Sequence, residues 1–527
     1  MAKKKVTDDF VPHKGKAKAG KTGKRGVSLD PAALPLTRAV GEPVKIPRPA
    51  RTRYPVSLET FRELKQEATV TTRELVAKHP ATAVLDRGRK KSARAAAAPA
   101  AVPVAFGNFA GIPATGFIPA DSALSAGPNH VIAAVNSSFA IYNKTGGAPL
   151  FQTTLENWFS NAIKQVFVFD PKTLYDQHSG RWVLLAVALP LDQNKKGSWF
   201  LLSVSKTSDP MGGWSVYALD AMVDGATRTD NWADYPAVGV DAVNLYLTAN
   251  MFKFGGDFAY AKVRVVPKAV VYSGQAATWW DFTRLEDSAG VMSFTVQPCQ
   301  TYGAPGFEYL VNSHYPSGGS STRNKLTLWA INTAGVPSLT KRTITTGSFA
   351  IPPSAKQKGG GTAIDTGDVR LLNAVFRGGS VWTALTTKWL GPPIAALFWF
   401  QINATSGALQ QQGLFGIDGR YYFYPVLMPD TNGNMILCFS RCSTTEFASI
   451  YYTGRKASDS AGSLQQPSVP LKAGTANYVA LDNNGLNRWG DYNGIAVDPN
   501  DNRTVWFMNE FATAGNNWAT WIGRVQI

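Results

Sequence analysis

The sequence predicts an all-β fold built from seven similar units, and three observations support this prediction. Short apolar strands separated by Gly, Asn and Asp turns dominate residues 108–527, and no convincing helical periodicity follows residue 165. All 15 Trp lie between Trp158 and Trp521, so the apolar core belongs to the same region. One pattern, a polar start followed by a short strand, a turn and two long strands, returns about every 60 residues. Radial repetition leaves only short, protected sheet edges, so the pattern predicts a seven-bladed β-propeller. A two-sheet sandwich is the alternative, but it does not require seven similar units.

The seven copies of this pattern share a strand, an Asp, Asn or Gly turn, and a second apolar strand. They lie at 127–147, 167–189, 233–252, 306–332, 367–389, 421–440 and 488–507. The last copy stops at Ile527, after what the pattern predicts to be its third strand. We therefore expect residues 106–121 to supply the missing outer strand, to pair with the 518–527 strand and so to close the propeller formed by residues 106–527.

Residues 1–105 are predicted to be a basic, largely disordered arm. Residues 1–100 contain 23 of the 53 Lys and Arg but only 9 of the 36 Asp and Glu, so this part of the chain carries +14 of the net charge of +17. Such a composition cannot bury enough apolar surface to offset the ordering entropy. One short helical segment is predicted near 57–79, with Ser57 as its cap and Pro80 as its stop.

The composition also limits the class of protein. Cys299, Cys438 and Cys442 are an odd set without metal-ligand spacing, so no disulfide framework is expected. No run of 18 apolar residues predicts a membrane span. The start of the chain is basic but has no apolar segment behind it, so no classical signal peptide is predicted. We expect the propeller body to be monomeric.

Ligands of propellers usually bind at the mouth of the central channel, where the first strand of each unit starts. Polar residues at those predicted starts are therefore the candidate site, because acids, Arg and Tyr from different units can combine acid–base chemistry with glycan recognition. The candidate catalytic residues are Asp234, Asp491 and His130. The candidate ligand-binding residues are Arg370, Asp368, Arg420, Arg488, Tyr235, Tyr424 and Tyr492. The structural alternative is that these residues pair with each other or with backbone amides and fasten neighbouring units.

No cofactor is predicted, although two loops leave calcium open. Both loops place oxygen ligands at alternate positions, as calcium-binding loops do, but they also lie where a hairpin needs turn residues. Their candidate ligands are Asp430, Asn432, Asn434, Asp498 and Asp501.

The body resembles a large group of poorly characterised, usually exported bacterial β-propeller-type proteins. The resemblance rests on a set of motifs that covers nearly all of residues 110–527. They include GPNHVIAAVNSSFAIYNKTG, VSKTSDPMGGW, DYPAVGVDAVNLYLTANMF and RWGDYNGIAVDP. It implies the fold and favours an extracellular location, but it implies no agreed reaction. Because no classical signal peptide is predicted, a cytoplasmic location or non-classical export stays open. This chain departs from the group in its long basic arm and in lacking a clear signal peptide.

A second resemblance lies in TSDPMGGW, residues 207–214, which is similar to the sialidase Asp-box S-x-D-x-G-x-T-W. Met211 and Gly213 replace the expected Gly and Thr, so the match is partial. An Asp-box locks a turn far from the catalytic centre, so this resemblance implies the fold and not the chemistry.

Together these observations predict a binding propeller that recognises a glycan or a protein at its channel mouth, with the arm as a docking or export element. A sialidase-like glycoside hydrolase or a polysaccharide lyase acting at the same mouth is the first alternative. A scaffold whose arm binds an acidic partner or nucleic acid is the second. Nucleic acid has the least support, because no aromatic residues alternate with the basic ones.

Overall fold

The computed structural model describes residues 103–527 except 193, 257, 315–322, 390–391, 466 and 483–484, together with the backbone of three short strands at 11–12, 18–19 and 27–29. Nearly all of the regular secondary structure in the described chain is β-strand, which confirms the predicted all-β class. Two five-residue helices, Leu155–Phe159 and Lys268–Tyr272, lie in connections between strands. Within the described residues, no helix is long and apolar enough to cross a membrane.

Most of the strands form seven sets of four antiparallel neighbours, here called units 1 to 7. Unit 1 contains β5 (Ala123–Ala126), β6 (His130–Val135), β7 (Ser138–Asn143) and β8 (Phe151–Thr154). Unit 2 contains β9 (Val166–Asp176), β10 (Arg181–Pro190), β11 (Trp199–Ser205) and β12 (Trp214–Asp220). Unit 3 contains β15 (Asn231–Val240), β16 (Asn244–Lys253), β17 (Phe258–Pro267) and β18 (Trp280–Phe282). Unit 4 contains β19 (Gln297–Thr301), β20 (Glu308–Ser313), β21 (Arg323–Asn332) and β22 (Ser338–Phe349).

Unit 5 contains β23 (Leu371–Arg377), β24 (Ser380–Lys388), β25 (Ala395–Asn403) and β26 (Leu409–Phe415). Unit 6 contains β27 (Tyr421–Pro429), β28 (Met435–Ser443), β29 (Glu446–Arg455) and β30 (Val469–Lys472). Unit 7 contains β31 (Gly494–Val497), β32 (Val505–Thr513), β33 (Asn517–Gln526) and β4 (Val104–Pro113). A small hairpin of β13 (Val223–Asp224) and β14 (Thr227–Arg228) connects units 2 and 3.

The fourth strand of unit 7 comes from the other end of the body. β4 pairs antiparallel with β33, with Phe109 opposite Ile522 and Ala110 opposite Trp521. The side chain of Trp521 also donates a 2.9 Å hydrogen bond to Asn108 Oδ1. The pairing expected between the start of the body and the C-terminal strand is therefore present, from residue 104 to residue 113. Residues 114–121 continue past it to the start of β5.

The first strands of the seven units meet one another in chain order. β5, β9, β15, β19, β23, β27 and β31 each contact the next, and β31 contacts β5. Short parallel pairings of β19 with β15 and with β23 join units 3, 4 and 5 into one 14-stranded sheet. Residues from six of the seven first strands line a cavity of about 90 Å³. Neighbouring units therefore pack around a narrow common space.

The apolar core lies between neighbouring units. One cluster joins Phe139 and Trp158, from unit 1 and its connection, to Trp182 and Trp214 of unit 2. The ring of Trp158 meets Phe139 at 4.7 Å and Trp214 at 5.4 Å between ring centroids. Because each unit buries an apolar face against the next, every unit needs two neighbours, and the repeat in the sequence follows from that need.

Only three short strands of the N-terminal arm are described. β1 (Val11–Pro12) pairs with β22, β2 (Lys18–Ala19) with β18, and β3 (Val27–Leu29) with β12. They add a fifth strand to units 4, 3 and 2 in that order. The predicted helical segment near 57–79 and the predicted disorder of the rest of the arm lie outside the described residues.

Candidate functional site

In five units the chain bends sharply at the first strand: just before it in units 1 and 4, and inside it in units 2, 3 and 6, where its pairing with the second strand shifts register. A residue other than glycine takes a positive φ there, which costs energy and needs support from neighbours. The support comes from the preceding unit. Asn136 accepts the N–H of Asp170 at 2.8 Å, and Thr386 accepts the N–H of Tyr424 at 3.0 Å. The five residues and their φ angles are Asp121 (48°), Asp170 (52°), Tyr235 (51°), Thr295 (48°) and Tyr424 (50°).

The first candidate binding pair lies immediately before β23. Arg370 donates from Nε to Asp368 Oδ1 at 2.9 Å and from Nη2 to Oδ2 at 2.7 Å. The guanidinium lies 4.4 Å from the ring centroid of Tyr235 in unit 3 and 5.0 Å from that of Phe294. The Arg370 side chain is 18% exposed and that of Asp368 is 6% exposed. This ion pair therefore has one edge toward solvent and one face against aromatic rings.

The second pair precedes β31. Arg488 Nη2 donates to both oxygens of Asp491, at 3.0 and 3.2 Å. The side chains of Arg488 and Asp491 are 10% and 22% exposed. Asp121 accepts the N–H of Asp491 at 2.7 Å, and Glu510 accepts the N–H of Gly490. Two buried carboxylic side chains thus hold the turn that carries this ion pair.

Three buried tyrosines lie around the two pairs. Tyr235 donates to the carbonyl oxygen of Asp491 at 3.2 Å, and Tyr492 donates to that of Pro171 at 3.0 Å. The rings of Tyr235 and Tyr492 meet edge to face, with centroids 5.8 Å apart. The ammonium group of Lys172 lies 2.7 Å from the ring centroid of Tyr492 and 5.5 Å from that of Tyr235. The tyrosines link units 2, 3 and 7 at this end of the first strands.

The electrostatics show that these residues form one cluster. Burial lowers the pKa of Arg370, but Asp368, Tyr235 and Asp491 outweigh it and hold that pKa well above its usual value. Burial also lowers the pKa of Arg488, but Asp491 and Asp365 outweigh it, so this pKa is raised as well. Burial raises the pKa of Tyr424 well above its usual value, and the same charged groups act on it. Both arginines therefore stay charged, and Tyr424 stays protonated.

Seven of the predicted site residues come together at this end of the first strands, which we call the mouth. They are Arg370, Asp368, Arg488, Asp491, Tyr235, Tyr424 and Tyr492. Asp234 lies beside them in β15, buried and opposite Asn250 of β16.

Two predicted residues lie elsewhere. His130 begins β6, after the first hairpin of unit 1, because the first strand of that unit is β5 and not the segment that starts at 130. Burial lowers the pKa of His130, and its charged neighbours are Asp209 and Lys144. Arg420 is exposed just before β27, and the buried residue at the mouth is Tyr424, four positions later. Neither His130 nor Arg420 joins the cluster.

The candidate calcium ligands act as hairpin locks in this structure. Asp430 accepts the N–H groups of Asn432 and Asn434 at 2.8 and 2.9 Å. Lys144 Nζ donates to both carboxylate oxygens of Asp498, at 2.7 and 2.8 Å. Asp501 accepts the N–H of Thr504 at 2.9 Å. Among the residues that the structure describes, no group of three or more His, Cys, Asp or Glu is arranged to hold a metal ion.

The Asp-box-like segment is a turn between β11 and β12. Asp209 Oδ1 accepts the N–H of Met211 at 2.9 Å, and Trp214 donates from Nε1 to the carbonyl oxygen of Pro210 at 2.7 Å. Trp214 is fully buried. The segment therefore closes a hairpin between the third and fourth strands of its unit.

Sequence reasoning missed several residues of the mouth. Lys172 follows Asp170 and Pro171 inside β9, and Lys172 lines the cavity. Asp365 and Asp121 are charged neighbours of Arg488. Asp121 and Glu510 also accept backbone N–H groups of the turn between Arg488 and Asp491. Asp121 and Asp365 lie in connections without repeat spacing, and Glu510 lies in a second strand, so no periodic signal marks them. The Asp-Pro and Tyr-Pro pairs at 170–171, 235–236 and 424–425 are a signal that could have located the bends.

Comparisons with known proteins identify no family for this chain. No family model matches the chain, and no curated protein matches it. A Dyadobacter fermentans protein of unknown function aligns at 11% identity and a TM-score of 0.34, over 69% of this chain and 96% of its own. Trypanosoma rangeli sialidase in complex with sialic acid aligns at 10% identity and 0.37, over 77% of this chain and 60% of its own. An α-L-arabinofuranosidase from Fusarium graminearum aligns at 10% identity and 0.35, over 80% of this chain and 98% of its own.

Proposed function

We propose that the chain is a seven-bladed β-propeller that binds a glycan at the mouth without transforming it. The observation that carries this proposal is the convergence of two partly exposed Arg–Asp pairs from units 5 and 7, with Tyr235 of unit 3 beside them. Side chains from separate units that meet at one point can contact one ligand from several sides. Binding sites of repeat proteins are commonly built in this way.

The propeller architecture is supported by three observations. The strands form seven sets of four, and the first strands contact one another in an order that returns to its start. The N-terminal strand β4 completes the last set. The cavity between the first strands is about 90 Å³, well below the roughly 300–1,000 Å³ of usual ligand pockets. A sugar ligand would therefore be held at the mouth and not inside the cavity.

The chemistry of the mouth favours binding over turnover. Burial raises the pKa of Tyr235 and of Tyr424 well above the usual value, so neither phenol is prepared to act as a nucleophile. Asp368 and Asp491 each hold a guanidinium with both carboxylate oxygens, which occupies the oxygens that general acid–base catalysis on a ligand would use. Glu510 has a raised pKa, but it is only 1% exposed and holds a backbone amide.

A glycan fits the mouth better than a protein does. Protein interfaces centre on exposed aromatic and apolar anchors. The three mouth tyrosines are at most 3% exposed, and the accessible surface consists of guanidinium and carboxylate edges. Such edges match hydroxyl groups, which both donate and accept hydrogen bonds.

The proposal is tested by screening the full-length chain against a glycan array, with Arg370→Ala and Asp491→Ala as mouth variants. Each variant should weaken binding at least tenfold while it keeps a cooperative thermal melt. Arg228→Ala is the matched control, because Arg228 forms a 2.9 Å ion pair with Asp220 on an exposed surface away from the mouth. Binding that the mouth variants leave unchanged would refute the proposal. Release of reducing ends or unsaturated products that stops in Asp491→Ala would show an enzyme instead, and capture of a protein and no glycan would show a protein-binding module.

A further inference from the structure

The charged groups that the mouth presents to solvent are balanced. The two ion pairs supply two guanidinium groups and two carboxylates, and each guanidinium makes two hydrogen bonds to its own carboxylate. Arg370 and Asp491 are the most exposed of the four, and they carry opposite charges. A ligand at the mouth would therefore meet donors and acceptors in equal measure.

The other charged groups of the mouth lie behind these pairs. Asp121 and Asp365 are 1% and 5% exposed, and each accepts a backbone N–H group, from Asp491 and from Gly367 respectively. Lys172 is a further cation, but its ammonium group lies against the ring of Tyr492 at the wall of the cavity. These groups brace the backbone and the tyrosine rings, while Arg370 and Asp491 give each of the two pairs one edge toward solvent.

Ligand charge can be judged from this arrangement. A carboxylate or sulfate that accepts from the remaining N–H groups of either arginine would lie beside Asp368 or Asp491, which repels it and already neutralises the guanidinium. An ammonium group beside either carboxylate would be repelled by the paired arginine in the same way. A hydroxyl group carries no charge and meets neither repulsion, because it can accept from a guanidinium N–H and donate to a carboxylate oxygen.

We infer that the mouth selects uncharged sugars, and that the two Arg–Asp pairs act as the determinants of this selectivity. The inference rests on the proposed function and deepens it by naming the ligand class. Each pair presents a guanidinium edge beside a carboxylate edge, which suits neighbouring hydroxyl groups on one sugar ring. Acidic and amino sugars are disfavoured because the opposite charge that would attract each of them is already paired, and the like charge beside it repels them in a site largely shielded from water.

The test uses pairs of oligosaccharides that differ only in charge. Methyl-esterified and de-esterified oligogalacturonides compare a neutral chain with an anionic one, and N-acetylated and deacetylated chito-oligosaccharides compare a neutral chain with a cationic one. Both pairs are placed on the same array with other neutral, sialylated and sulfated glycans, and the full-length chain is used. We expect the mouth-dependent ligands to be neutral, and each charged counterpart to bind at least tenfold more weakly.

Two charge variants examine the cause directly. Asp491→Asn removes the carboxylate that pairs with Arg488, so the affinity for the anionic oligosaccharide relative to its neutral counterpart should rise by tenfold or more. Arg370→Gln removes the guanidinium that pairs with Asp368, so the affinity for the cationic oligosaccharide relative to its neutral counterpart should rise. A wild-type preference for charged glycans that either variant abolishes would overturn this inference and leave the proposed function intact. Binding of acidic glycans that falls with salt and ignores both variants would locate recognition in the basic arm, which would overturn both.

Discussion

Glu510 should make the stability of the protein depend on pH in a direction opposite to that of most carboxylic groups. Its side chain is 1% exposed in β32, and its Oε1 accepts the N–H of Gly490. Burial raises the pKa of Glu510 well above its usual value, and Asp121 and Asp491 add to the effect. The folded chain thus keeps this proton to higher pH than the unfolded chain does. The resulting stability is complete below the unfolded-state pKa and is lost as the pH rises toward the folded-state pKa.

The magnitude follows from that difference in protonation. Between the two pKa values only the folded state holds this proton. Each rise of one pH unit in that range therefore lowers the free energy of unfolding by about 1.4 kcal/mol. Glu510→Gln keeps an oxygen for the Gly490 amide but removes the titration. From about pH 5 up to the pH at which Glu510 ionises in the folded protein, the variant should therefore lose about 1.4 kcal/mol less per pH unit than the wild type does.

Urea unfolding followed by tryptophan fluorescence at several pH values measures this slope. Glu308 has the same kind of raised pKa through burial, but it is present in both proteins and cancels in the comparison. Glu156→Gln, at a partly exposed position on the helix Leu155–Phe159, is the control for loss of a carboxylate. If the Glu510→Gln and wild-type profiles run parallel, Glu510 ionises in the folded protein as it does in the unfolded chain, and the reasoning is refuted.

Two further substitutions examine the core, the first between units 7 and 1 and the second at an ion pair within unit 3. Gly494→Ala would place a methyl carbon 2.2 Å from the backbone nitrogen of Leu124, so we expect a clearly lower melting temperature. Gly107→Ala is the control, because its nearest neighbouring atom is 3.6 Å away, and it should melt like the wild type. Arg264→Leu would leave Asp281 buried without its ion pair and should cost about 3–5 kcal/mol of unfolding free energy by urea titration. Equal melts for the two glycine variants would show that β31 and β5 are not in contact in solution, and a loss below about 1 kcal/mol for Arg264→Leu would show that Asp281 is hydrated.

Much of the fold could be predicted because each unit repeats the same burial problem. Apolar strands around Asp, Asn and Gly turns return in every unit, and β4 supplies the fourth strand of unit 7. The start of unit 1 cannot be placed in the same way. Its first strand, Ala123–Ala126, is only four residues long and has no charged residue within it, so the pattern from His130 onward is the stronger signal.

The candidate site was predictable where its residues lie before or near the start of a first strand. Arg370 and Arg488 met that condition and both lie at the mouth. Arg420 met it too but lies outside, because β27 begins three residues before its bend at Tyr424 and the chain reaches the mouth only there. Glu510 belongs to a second strand and reaches the mouth through one backbone amide, a contact that no spacing in the sequence encodes.

The mouth separates two tasks that similar residues perform, and burial decides which residue performs which. Asp121 and Asp170 are each 1% exposed, and both accept backbone N–H groups across units, of Asp491 and of Tyr235. They hold bends that the backbone would not adopt unaided. With those bends fixed, the Asp491 carboxylate stays beside Arg488 and remains partly exposed. The fastening interpretation and the proposed binding role of this cluster are therefore compatible, because buried carboxylates set the backbone that holds the two partly exposed pairs in place.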